Sequence, residues 1–171
     1  MIIPVLLQAA AAAATPAPAA GWTLADRINA AGVRSVVASV VARDGLSRLL
    51  VKCDISQEPI VSIQFIQPRA LGESADKLVN VRFDGGPAFA YNWAFPGTGA
   101  YIADPQAVTR LTTFLVKAKD VRVDTTNASN FAVDASFVGP GGAALVGKVL
   151  SACGATLGVV PTPPAPAKDA K

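Results

Sequence analysis

Leu49-Leu50-Val51-Lys52-Cys53 is a short apolar run carrying one cation. In an extended chain, successive side chains point to opposite faces, so Leu49, Val51 and Cys53 share one side while Leu50 and Lys52 share the other. That reading makes Ser47 to Ile55 a strand with its cysteine turned inward. The second cysteine, Cys153, ends the run Ala143 to Cys153, in which Leu145, Val149 and Cys153 recur at the i+4 spacing of one helix face. Both thiols are thus expected inside. In a chain whose start reads as an export signal, they read as a structural disulfide fastening an early strand to a terminal helix, the alternative being two buried free thiols.

Upstream of this strand, Ser35 to Arg43 is rich in β-branched residues and leads into Asp44-Gly45, a dipeptide suited to a tight hairpin turn. Further back, Trp22 to Ile28 reads as a short helical turn, with Thr23 as cap and Leu24 and Ile28 on one face. Downstream, Pro59 opens a segment in which Val61, Ile63 and Phe65 alternate with Ile60, Ser62, Gln64 and Ile66. The runs Leu78 to Phe83 and Ala88 to Phe95 flank Asp84-Gly85-Gly86 and predict a second hairpin. Pro96 to Gly99 ends it, and Ala100 to Ala103 makes a further short strand. Asp104-Pro105 starts a helix, because the carboxylate can accept free first-turn amides and proline needs no donor there. Its expected apolar stripe is Val108, Leu111, Phe114, Leu115 and Ala118, where the helix should end. Lys119 to Asp124 and Asn130 to Phe137 then alternate as a closing hairpin. The expectation is an α+β, antiparallel β-rich domain of about seven to nine strands. It should be sandwich-like or a curved sheet, with one amphipathic helix mid-chain, a C-terminal helix and one disulfide.

The 171 residues, 51% of them hydrophobic, suit one core once the low-complexity ends are set aside. Residues 1–20 carry no charge and pass from an apolar block into alanine and proline, which reads as a signal peptide. The apolar stretch Val5 to Ala14 would be roughly 15 Å long as a helix, short of the ~30 Å hydrocarbon layer, so a membrane span is not expected. The folded domain is expected over 21–157, with 158–171 an Ala/Pro-rich tail that cannot pack. These features predict a periplasmic or secreted protein.

Histidine is absent, which removes the commonest general base and the commonest metal ligand. The cysteines have no zinc-ligand spacing, and neither a metal nor a cofactor is expected. Fifteen basic and twelve acidic residues leave a net charge of +3. Arg43, Arg48, Lys52, Arg69 and Lys77 alternate with acids, so no basic face suited to nucleic acid is expected. Asp120, Asp124 and Asp134 read as a charged solvent face rather than a metal set. Gly139-Pro140-Gly141-Gly142 lacks the lysine and hydroxyl of a phosphate loop and reads as ordinary loop geometry. Tyr91 and Trp93 share one strand face and form the candidate ligand face for a glycan or small apolar molecule, with core packing the competing reading.

In this order the chain resembles the VasI/TagO family of type VI secretion-associated envelope proteins. The resemblance rests on Leu50-Val51-Lys52-Cys53 in a strand, Val81-Arg82-Phe83-Asp84 leading to Trp93, an intervening helix, and Leu150-Ser151-Ala152-Cys153 at the close. It covers about Leu46 to Cys153 and marks Cys53, Cys153, Arg82, Asp84 and Trp93 as the matching positions. The resemblance implies an exported accessory domain without catalysis, with an envelope or secretion-apparatus protein as partner. The Pro96 to Gly99 loop and the proline tail depart from the family pattern.

Overall fold

The computed structural model describes residues 21–29, 32–138 and 142–162. The expected signal peptide, the loop residues 139–141 and the end of the tail, 163–171, lie outside the described residues. The elements run β1 (Thr23–Ile28), β2 (Arg34–Val41), β3 (Arg48–Ile55), β4 (Ile60–Ile66), β5 (Gly72–Phe83), β6 (Phe89–Gly97) and β7 (Gly99–Ile102). They continue with α1 (Pro105–Leu115), β8 (Asp120–Thr126), β9 (Ala132–Val138) and α2 (Ala143–Ala152). The strands form one antiparallel sheet in the order β1-β2-β3-β4-β7-β6-β5-β8-β9.

The sheet curls rather than splitting into a sandwich. Its two halves meet where Ala94 of β6 pairs with Tyr101 of β7. On the far side the curl brings the end of β2 to β9: the Arg43 amide donates to the Ser136 carbonyl at 2.8 Å, and the Arg43 guanidinium meets the Asp120 carboxylate at 2.9 Å. Inside, Phe65 of β4 and Phe137 of β9 stand edge to face, 6.3 Å between centroids. Both helices close this interior, α2 on β2 and β3, and α1 on β4. The faces of β3 are those the alternation predicts, with Leu49, Val51 and Cys53 all buried. The hairpins at Asp44-Gly45 and Asp84-Gly85 form as expected.

Four local expectations change. The segment expected as a helical turn is strand β1, paired in register from Thr23↔Ser39 to Ile28↔Arg34. Six residues gain too few helical bonds to offset nucleation, whereas the open edge of β2 satisfies their amides directly. Strand β5 starts six residues early, at Gly72, because Gly72 to Ser74 pairs with Phe95 to Gly97 across a bulge between Ser74 and Lys77. Helix α1 is capped as predicted, the Asp104 carboxylate accepting from the Ala107 amide at 2.8 Å, but it ends at Leu115 and its buried stripe is rotated. Ala107 and Thr112 take inward places while Phe114 lies 44% exposed. The Thr112 hydroxyl tolerates burial because it donates back to the Val108 carbonyl at 2.7 Å. In α2 the buried face is Val146, Val149 and Leu150, so that of the expected Leu145, Val149 and Cys153 only Val149 is fully buried while the other two pack partly buried against the core.

Candidate functional site

The Arg-x-Asp motif straddles the end of β5, with Arg82 on the strand and Asp84 in the turn that follows, and Arg82 and Asn80 are tied to β8. The Arg82 guanidinium is hydrogen-bonded to the Asp124 carboxylate, which also accepts from the Asn80 side-chain amide at 2.8 Å. On β8 and β9 the ladder continues with Arg122 and Asp134 at 3.2 Å. Asp124 and Asp134 thus belong to a paired outer face, as their alternation predicts, and Asp120 is held by Arg43. Among the described residues no group of three or more acids and cysteines is placed to hold a metal ion.

Asp84 acts on the backbone. It sits in the hairpin turn at φ 51°, a conformation that aspartate tolerates better than most residues. Its carboxylate accepts from the amides of Lys119 at 2.8 Å and Asp120 at 2.9 Å, and its own amide donates to the Asp120 carbonyl. The turn between β5 and β6 is thereby stapled to the connection between α1 and β8. Trp93 is 1% exposed and part of the core, while Tyr91 is half-buried. The expected ligand face therefore lacks its larger ring, and core packing is where Trp93 belongs.

Cys53 and Cys153 are bonded, with Cα atoms 5.7 Å apart. Beside the bridge lies an apolar groove of about 230 Å3, walled by Ile60, Val108, Leu150, Cys153, Val159 and Pro161. Two of these walls come from the segment expected as an unpacked tail. Val159, 57% exposed, reaches α1 through its carbonyl, which accepts from the Thr109 hydroxyl at 3.5 Å, and its amide donates to the Thr156 carbonyl at 3.1 Å.

A second concavity, about 430 Å3, opens between the turn after β5 and the outer side of α1. Phe83, Phe89 and Phe114 form its floor, with Phe89 and Phe114 centroids 4.7 Å apart and Phe83 stacked on Phe114 at 5.7 Å. The Arg110 guanidinium lies over the Phe89 ring, 5.0 Å from its centroid. The sequence pattern hides this cleft, because hydrophobicity and spacing place Phe114 in the buried stripe of α1. The available signal was Arg110 four residues before Phe114 on one helix face.

Shifted titrations belong to structural contacts. The Arg34 guanidinium, bonded to Asp26 at 2.6 Å and 2.9 Å, holds that carboxyl below its ordinary value and is itself raised. At Asp44 partial burial pushes upward, but the Ser47 hydroxyl and the amides of Leu46 and Ser47 outweigh it and hold the carboxyl low. Among the described residues no helix is long and apolar enough to cross a membrane. No protein-family model, no curated protein and no solved structure matches the chain.

Proposed function

We propose that the chain is an exported, non-catalytic envelope domain that serves as a binding or scaffolding accessory, in the manner of the type VI secretion-associated proteins it resembles. The observation that carries this reading is the Cys53–Cys153 bond, which joins the two motif ends and is the kind of bond that persists outside a reducing cytosol. It is supported by the way the motif residues are used. Arg82, Asp84 and Trp93 are engaged in ion pairing, backbone capping and core packing, which leaves apolar surface as the chemistry on offer.

The test is crosslinking in intact cells, followed by fractionation and mass spectrometry of what the tagged chain retains. A specific envelope protein is the expected result, with the chain itself recovered oxidised from the envelope fraction. Two alkylatable thiols in cytosolic protein, or a crosslinked fraction without a specific partner, would overturn the reading. The groove of about 230 Å3 beside the disulfide favours a second reading, carriage of a small apolar ligand. Native mass spectrometry of protein purified without detergent decides it: a bound apolar mass supports carriage, and bare protein alone refutes it.

A further inference from the structure

We infer that the cleft between the 85–88 turn and the outer face of α1 docks an acidic polypeptide segment that inserts one large apolar side chain. This inference rests on the binding reading above and names its surface and the chemistry of its partner. The floor supplies the apolar half. Phe83 is buried, Phe89 half-buried and Phe114 44% exposed, so the rings present a wet aromatic surface continuous with the core. Because Phe114 is stacked on Phe83 and packed on Phe89, its orientation is set before any partner arrives, and little side-chain entropy remains to be lost on docking. Pro87 and Ala88, both exposed, form the opposite wall with backbone that is similarly restrained.

Charge selects the partner. Neither wall carries an acid: residues 85–91 and 105–119 contain Arg110, Lys117 and Lys119 but no aspartate or glutamate. Arg110 forms no ion pair among the described residues, and its guanidinium is held over Phe89 at the mouth of the cleft. The carboxylates that flank these walls in sequence keep their charge but are turned onto backbone amides. Asp84 accepts the Lys119 and Asp120 amides, and Asp104 caps α1 on the Ala107 amide. The arginine and exposed aromatic combination is the one that concentrates binding energy at interfaces, and the Arg110 guanidinium at the mouth rewards an acid beside the inserted side chain.

The probe is a random peptide library displayed on phage and selected on the full chain, with counter-selection on the Arg110→Glu/Phe114→Ser double variant. The expected winners carry Asp or Glu close to a single Phe, Trp, Leu or Ile. In fluorescence polarisation with one labelled winner, Arg110→Glu and Phe114→Ser should each weaken binding roughly tenfold or more. Raising salt from about 0.05 M to about 0.5 M should weaken it further, and Arg27→Glu on β1 should leave it unchanged. Both replaced side chains are exposed, and coincident thermal melts establish that the variants fold. Winners without acidic bias, binding indifferent to both substitutions, or adsorption to phosphatidylglycerol vesicles in place of peptides would overturn the inference. The in-cell crosslink separates the two claims. A partner retained equally by the double variant sinks the cleft and spares the binding reading, whereas no partner for the wild type sinks the binding reading itself.

Discussion

Replacing both cysteines, Cys53→Ala/Cys153→Ala, cuts the covalent tie between β3 and α2 while changing little packed volume. Alanine is the informative choice at position 53. That side chain is fully buried, and serine would leave a hydroxyl there whose desolvation costs about 1–3 kcal/mol without a partner. The bridge spans a sequence separation of 100, and on the chain-entropy account closing such a loop in the unfolded chain is worth about 4.7 kcal/mol. A domain of this size is stable by roughly 5–15 kcal/mol in total, so the change removes from about three-tenths to nearly all of it. At about 2–4 °C per kcal/mol, the melting temperature should fall by roughly 9–19 °C. Calorimetry together with urea unfolding measures both quantities, and the oxidised protein should show a smaller dependence on urea because its unfolded chain is kept compact. Each single variant should lose as much as the double one, since either substitution opens the ring. A loss below about 1 kcal/mol would refute the reasoning: the unfolded chain without the bridge would then be compact enough already that closing the ring removes little of its freedom.

Asp84→Ala should cost about 1–2 kcal/mol, because it strands the Lys119 and Asp120 amides and puts a Cβ-bearing residue without a polar side chain at φ 51°. Asp84→Asn, which keeps an acceptor oxygen, should retain most of that in the same denaturation assay. At Asp44 the folded carboxyl is held below its ordinary value of 3.8, so its stabilisation is present above that pH and is lost as pH falls through the lower folded value. The stability gap between wild type and Asp44→Asn should therefore be open at neutral pH and close in strong acid. Gly142→Ala would put a Cβ 2.7 Å from the Trp22 ring, and should cost roughly 1–3 kcal/mol and redden tryptophan emission as Trp22 is displaced.

Alternation and turn chemistry made the local pieces readable. Leu49, Val51 and Cys53 point where period two sends them, and Asp104-Pro105 starts a helix for the stated reason. What could not be read is set by partners distant in sequence. Strand β1 exists because β2 offers it an edge, and Gly72 to Ser74, polar and loop-like in composition, is extended because it pairs with the end of β6. The insertion of β7 between β4 and β6 is likewise a matter of tertiary pairing. Phe114 marks the same limit at the candidate cleft. Hydrophobicity alone sends it inward, yet Phe83 and Phe89 hold it at the margin of the sheet, and only that neighbourhood turns a core residue into surface.

The sulfur bridge also governs how the molecule responds to tension. When a pull is applied at its two ends, force reaching β3 passes through the bond to the end of α2 and bypasses everything between. The enclosed stretch, with a sequence separation of 100, would otherwise release roughly 330–360 Å of contour length. While the bond stands, that length is withheld, and stretching can unravel only the chain before Cys53, which holds β1, β2 and the first residues of β3, and the chain beyond Cys153. Oxidised, the domain is a short, stiff link; reduced, it becomes an extensible one.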